Sequence, residues 1–292
     1  MPEILSELGL PLNPSNDSAI LAQALYRVDL SYIGEKYYGF QSQPNGNTIQ
    51  DKLEAALATF CRHPVRVTSA SRTDTGVHAE HQVVTFKGAA GLNEFRIAKA
   101  LNSLLDQDIR VTNIVVCPDS FHPTFNSTGK AYRYRIWKVA GESPFVTPYA
   151  WRMYHDVDIS VMKEAARQLI GTHDFTSLCA ADSSAKSKIR RVREIEISDR
   201  GPLLEIWVLG DGFLKQMVRN MVGLMIAVGR GKLKKGESAG IMAGKDRRLA
   251  PATAPACGLC LVKVFYGDDL PVSTLVENAK SGYTLSLGSS WI

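Results

Sequence analysis

The same order of elements is written twice along this chain, and that repetition limits its fold more than any other feature. In the first copy, Tyr26 to Ile33 has the Val, Leu, Ile and Tyr content of a strand. Asn47 or Thr48 can cap a helix running to about Phe60, with Ile49, Leu53, Ala56, Leu57 and Phe60 on one face. Val65 to Ala70 and His81 to Lys87 read as strands. Asn93 caps a second helix with Phe95, Ala98, Leu101 and Leu105 at helical spacing, and Ile109 to Val116 is a closing strand. The second copy has a strand from Ala131 to Val139 and a helix from Asp158 to Ile170 that Gly171 stops. Strands from Arg190 to Ser198 and Leu203 to Leu209 follow, joined by a turn at Asp199–Pro202. A long helix spans Phe213 to Val228, a short one lies near Ser238 to Gly244, and Leu259 to Tyr266 is the last strand.

Each copy is a split β-α-β-β-α-β unit, of the ferredoxin or RRM-like kind. Two such units can lay their sheets edge to edge. The expected fold class is therefore α+β: a continuous, mixed but mainly antiparallel sheet with helices on one face and a central cleft. The expected organisation is an extension over residues 1–25, a first half over 26–117, a second half over 118–266 and a tail over 267–292. The tail reads as polar, with Tyr283, Leu285 and Trp291 available to dock. An open sheet face suits RNA, which needs an accessible platform.

Charge is distributed unevenly. The total is +5, from 34 Lys and Arg against 29 Asp and Glu. Lys186 to Arg248 holds 15 basic and 7 acidic residues, net +8, which leaves −3 for the remainder. The densest run contains Lys186, Lys188, Arg190, Arg191 and Arg193. Alone, such a run reads more readily as a solvated face than as a binding surface; a block this lopsided is also the footprint expected of a surface that tracks a polyanion. The apolar stretch Met221–Val228 is far shorter than the roughly 20 residues that cross a bilayer. With no apolar leader and five irregularly spaced cysteines, the chain reads as cytoplasmic, with no membrane partner and reduced thiols.

Three segments can carry chemistry. In Ser71-Arg72-Thr73-Asp74-Thr75-Gly76 an acid flanked by hydroxyls and followed by Gly is an ordinary turn; it is also a carboxylate with Arg72 nearby at the mouth of a sheet. Tyr132 and Tyr134 share one strand face and Arg133 and Arg135 the other. Those tyrosines fit core packing, or a ring that stacks on a nucleobase. On the long helix Arg219 follows Gln216 and precedes Asn220, on the side away from a Met-rich stripe. Cys257-Gly-Leu-Cys260 has no second pair and no His at ligand spacing, and the histidines form no metal motif. Gly229-Arg-Gly231-Lys232 lacks the phosphate-loop frame. Neither a metal nor a cofactor is expected.

Taken together, Arg72-Thr73-Asp74-Thr75-Gly76-Val77-His78-Ala79, Tyr37-Tyr38-Gly39-Phe40-Gln41, Lys130-Ala-Tyr132-Arg133-Tyr134, Phe213-Leu-Lys-Gln-Met217-Val218-Arg219-Asn220 and Lys245-Asp246-Arg247 with Ala256-Cys-Gly258-Leu259 closely resemble the motifs of TruA-type tRNA pseudouridine synthases, in the family's order. Ser71 stands where that family usually has Gly, and Phe40 where many members have Trp. The resemblance implies isomerisation of uridine to pseudouridine in the anticodon stem-loop region of tRNA, without a cofactor, by a homodimer. It implies Asp74 as the catalytic carboxylate, whether it attacks the sugar or first removes a sugar proton. Arg219 would be its counter-cation, and Tyr132 would stack on the uracil and be a candidate for proton removal. Arg72 would fill the space left by the flipped nucleotide, and Leu259 would line the pocket. Lys186, Lys188, Arg190 and Arg191 would hold phosphates. Rival readings are an RNA-binding module that performs no reaction, and a metal or thiol hydrolase.

Overall fold

A computed structural model describes residues 22–44, 46–139, 143–234, 236–267, 271 and 273–277. Most of the expected N-terminal extension, and Tyr283, Leu285 and Trp291 of the tail, lie outside them.

In the first half, β1 (Gln23–Tyr32) leads to α1 (Ile49–Cys61), then β2 (Thr68–Ser69), β3 (His78–Ala89), α2 (Glu94–Leu104) and β4 (Ile109–Cys117). Thr48 starts α1 with a reciprocal capping box: its side chain takes the Asp51 amide while the Asp51 carboxylate takes the Thr48 amide. Asn93 caps α2 by accepting from the Arg96 amide. Tyr26 and Phe86 face each other across β1 and β3 with rings stacked 5.2 Å apart, a pair worth about 0.2–1 kcal/mol.

Two expectations for this half are corrected. The strand expected over Val65–Ala70 pairs in register with β3 at Thr68 and Ser69, and the Ala70 amide adds one bond to the Val83 carbonyl before side chains take the neighbouring backbone groups. The Val67 amide donates to Glu54 Oε1, and Gln82 brackets Ser71 by accepting from its amide and donating to its carbonyl. On α2, Phe95 is 76% exposed, and the buried face is Ile97, Ala100 and Leu101.

The second half contains β5 (Gly129–Trp137), β6 (Trp151–Arg152), α3 (Ile159–Leu169), β7 (Gly171–Asp174), β8 (Ile189–Arg200), β9 (Leu203–Gly210), α4 (Met217–Gly229), α5 (Glu237–Gly244) and β10 (Leu259–Phe265). The short strands β6 and β7 have no counterpart in the sequence reading. The long helix starts at Met217 rather than Phe213, because Gln216 holds a left-handed conformation (φ 59°) that a helix cannot contain. Helices α3 and α4 approach closely where Gly229 meets Met162: a Cβ there would lie 2.5 Å from the Met162 side chain.

The two copies join into one sheet of order β4-β1-β3-β10-β5-β9-β8-β7, with β2 against β3 and β6 against β5. Antiparallel pairing predominates; β3–β10 and β5–β6 are parallel. The seam is β3, whose one edge is shared: β2 pairs at Thr85 and Val84, and β10 pairs at His78 and Ala79. That seam brings the Asp74 loop, which immediately precedes His78, against the end of the second half.

The principal core joins the helices to one sheet face through Tyr26, Val28, Leu30, Tyr132, Tyr134, Ile206, Val208 and Leu261. A smaller cluster of Ala131, Trp207, Leu209 and Phe265 lies apart from it, joined by Leu275 and Val276. The strand alternation thus sends Tyr132 and Tyr134 into the principal core. Arg133 does not form the solvated basic face that core packing of the tyrosines entailed. It is buried, ion-paired to Glu80, with its guanidinium over the Trp207 ring, and Arg135 Nε lies 3.1 Å from the fully buried Glu205.

Candidate active site

Asp74 sits in a loop that other parts of the chain hold from several sides. At its start, Lys130 Nζ donates to the Ala70 carbonyl at 2.7 Å, and Gln82 brackets Ser71. In the middle, the Thr73 and Tyr32 hydroxyls are hydrogen-bonded at 2.7 Å, and the Phe40 amide donates to the Thr73 carbonyl. At the end, the Val77 amide closes a turn on the Asp74 carbonyl, with Gly76 at φ +77°. Gly39 is required for the close approach of the Tyr37–Phe40 segment: it has φ +89°, and a Cβ there would lie 2.7 Å from the Thr73 carbonyl oxygen.

The second half supplies the counter-charge. Arg219, in the first turn of α4, donates from Nη1 to Asp74 Oδ2 at 3.0 Å and from Nε to the Ala254 carbonyl at 2.8 Å. The side chains are 14% and 17% exposed, so the pair is largely withdrawn from water but still reachable by a ligand. Two donor contacts at different angles fix the guanidinium plane, which one contact would leave free to turn.

The Ala254 carbonyl is positioned in turn by residues the sequence reading did not single out as a unit. Asn220 is fully buried, not on a helix surface. Its Oδ1 accepts from Arg247 Nη2 at 3.1 Å and from Thr253 Oγ1 at 2.7 Å, while its Nδ2 donates to the Leu178 carbonyl. The strap Ala252–Ala254 therefore lies clamped against α4. The available signal was a polar residue inside an apolar helix, which must find partners when buried.

Tyr132 lies beside the same loop. Its ring stands edge-on to Phe213 at 5.2 Å, and its hydroxyl is 2.8 Å from Ser71 Oγ. Burial, with the Asp74 charge close by, pushes the phenol up to about 12, so it stays protonated at neutral pH. Leu259 is buried and pairs with Tyr134 across β10 and β5, two register positions from the pairing of Leu261 with Tyr132 and so on the same face of the sheet. Arg72 projects into solvent, with no hydrogen bond or ion pair to another described residue.

The basic run leads into β8, where Arg190 and Arg191 pair with His173 and Thr172 of the outermost strand β7. Lys186 and Arg191 are exposed; Lys188 donates to the Ser183 carbonyl and Arg190 to the Ser187 carbonyl. Burial, and after it the charge of Arg190, push the Lys130 ammonium down to about 8. This has a measurable consequence. The cost of burying the Lys130 charge is complete below pH 8 and is relieved as pH rises towards the ordinary lysine value of about 10.4. Between pH 8 and 9.5 the wild type should therefore gain up to about 2 kcal/mol of stability relative to Lys130→Met. Urea unfolding of both proteins at the two pH values measures it, and parallel curves would show that Lys130 titrates normally.

Other polar features lie elsewhere. A cavity of about 300 Å³ is lined by Glu80, Arg110, Arg133, Arg135 and Tyr149, without Asp74. Cys260 is buried and pushed up to about 12, which removes it as a thiolate nucleophile near neutral pH.

The profile of the tRNA pseudouridine synthase family matches residues 30–126 and 165–267, and those segments contain Asp74 and Arg219. The chain belongs to that family. Curated relatives named tRNA pseudouridine synthase A agree. The one from Bacillus licheniformis is 42% identical over 239 residues, covering 81% of this chain and 97% of the relative. That from Solidesulfovibrio magneticus is 43% identical over 255 residues, covering 84% and 92%. That from Geobacillus kaustophilus is 40% identical over 250 residues, covering 85% and 96%. As a tRNA pseudouridine synthase family member the chain is an isomerase, and the two matched segments meet where Arg219 contacts Asp74.

Proposed function

We propose that this isomerase converts uridine to pseudouridine in the anticodon stem-loop region of tRNA, with Asp74 as the catalytic carboxylate. The reaction breaks the N1–C1′ bond, turns the uracil and joins C5 to C1′; the C5 proton leaves and N1 gains one, so no redox partner is needed. The observation that carries this reading is the 3.0 Å contact between Arg219 and Asp74 across the two halves. A structural ion pair would be expected to be satisfied and closed. This one sits on a turn whose neighbour Arg72 is unengaged and whose other flank is an aromatic ring.

In this reading residues 26–117 bring the acid, and residues 118–266 bring its counter-ion and most of the phosphate contacts. Tyr132 stacks on the uracil. Its phenol, protonated at neutral pH, favours a role for the ring over a role as phenolate base. Leu259 lines the pocket beside Tyr134, and Arg72 takes the space that the flipped nucleotide leaves. Extruding the base costs a few kcal/mol, and Lys186, Lys188, Arg190 and Arg191 offset it through phosphates. The protein works as a homodimer in the cytoplasm, one tRNA contacting both subunits.

The test is incubation of the purified protein with unmodified tRNA transcript, followed by mapping of pseudouridine. Product at uridines of the anticodon stem and loop supports the proposal; product elsewhere corrects the substrate position, and none refutes it. Affinity for the transcript should fall by about 0.7–0.9 log unit per log unit of salt for each phosphate neutralised. A flat response would remove the basic run from the interface.

A further inference from the structure

The side chain of Ser71, on the Asp74 loop, reaches Tyr132. The hydroxyls are 2.8 Å apart, one on the Asp74 loop and one on β5, separated by 61 positions in the chain. The backbone that aims Ser71 is fixed. Gln82 accepts from its amide at 3.2 Å and donates to its carbonyl at 2.7 Å, and Gln82 itself is fully buried. Immediately before it, the Ala70 carbonyl takes Lys130 Nζ and the Ala70 amide donates to Val83.

Tyr132 is fixed at its other points. Its backbone is paired on both sides, to Leu261 and to Val208, and Phe213 meets the ring edge-on. What those contacts leave open is rotation and tilt at the tip of the ring. With only 7% of the residue exposed, an unpartnered hydroxyl there would be poorly hydrated, so a bond from the loop settles its position. A glycine offers no such bond.

We propose that Ser71 is a positioning residue for Tyr132: its hydroxyl couples the orientation of the stacking ring to the loop that carries Asp74, three residues further on. The inference rests on the proposed function for its catalytic consequence, and on the hydrogen bond alone for its structural one. Stacking sets the angle at which the uracil meets Asp74, whereas tRNA affinity comes mainly from phosphates. Loss of the bond should thus lower kcat by about five- to tenfold and leave KM within about twofold.

The experiment is a double-mutant cycle with Ser71→Ala, Tyr132→Phe and the double variant, reading urea stability and single-turnover pseudouridine formation. Ser71→Thr, which retains a hydroxyl, is included as rescue. The proposal expects Ser71→Ala to lower both stability and rate in the wild type, to change neither in the Tyr132→Phe background, and Ser71→Thr to keep most of the rate. Additive stabilities would show that the two hydroxyls are not coupled. Coupled stabilities with additive rates, or a folded Ser71→Thr variant as slow as Ser71→Ala, would show that Ser71 acts on the loop without acting through Tyr132. Should Tyr132→Phe form no product, the stability cycle and the Ser71→Thr rate decide between the same alternatives. A wild type that forms no pseudouridine refutes the proposed function and any catalytic part for Ser71, while the stability cycle still reports whether the bond exists.

Discussion

Asp74→Asn is expected to abolish pseudouridine formation, by about three or more orders of magnitude, while tRNA affinity stays within about threefold of the wild type. The amide has the shape of the carboxylate, and its oxygen can still accept from Arg219 Nη1, now 3.0 Å from Asp74 Oδ2. The loop keeps its other supports, since the Thr73, Gly76 and Val77 contacts do not involve the Asp74 side chain. What disappears is the negative charge and lone pair that, in the proposed reaction, attack the sugar or remove its proton. The check is pseudouridine mapping on transcript together with equilibrium tRNA binding and urea unfolding. Full turnover by a folded, RNA-binding variant would overturn the assignment of Asp74. Loss of binding with loss of turnover would instead make the acid a folding element.

Gly223→Ala should be strongly damaging although it lies away from the reacting groups. A Cβ at Gly223 would lie 2.3 Å from the Ala252 carbonyl oxygen and 3.4 Å from its carbon. That contact is backbone, so relief requires the strap to move or α4 to shift. The helix cannot shift freely, because Met221, Val222, Leu224 and Met225 around it are fully buried. Replacing a helical Gly by Ala gains about 1 kcal/mol in helix propensity; overpacking of this kind costs about 1–3 kcal/mol, so a net loss of stability is expected. The larger effect is on rate. The displaced strap carries the Ala254 carbonyl that orients Arg219, and a shift of about 1 Å at a catalytic group can cost about a hundredfold. Urea unfolding and single-turnover rates measure the two effects. A stable variant of normal rate would show that the strap yields without turning Arg219.

Much of this architecture is legible in local patterns because local patterns create it. Hydrophobic periodicity, the caps at Thr48 and Asn93 and the stop at Gly171 define α1, α2 and α3 to within a residue or two, and strand alternation separates Tyr132 from Arg133 correctly. The misreadings occur where a distant side chain intervenes. Glu54 takes the Val67 amide and Lys130 the Ala70 carbonyl, which leaves β2 short, and Gln216 delays α4 through a left-handed conformation that apolar spacing does not reveal. The burial of Arg133 against Glu80 and Trp207 depends on partners that strand alternation cannot name.

The candidate site divides in the same way. Asp74, Arg72, Tyr132 and Arg219 are recognisable as types in motifs. Nothing in their spacing says that residues 145 positions apart meet at 3.0 Å. That meeting follows from β10 crossing back to pair beside β3, which places the end of the second half against the loop of the first. The repeated β-α-β-β-α-β order comes from the sequence by itself, because propensity, capping and periodicity are local and each copy can be read alone. Which strands share an edge, which carbonyl turns Arg219, and that Ser71 touches Tyr132 were decided only by the tertiary structure, because each depends on a contact between segments far apart in the chain.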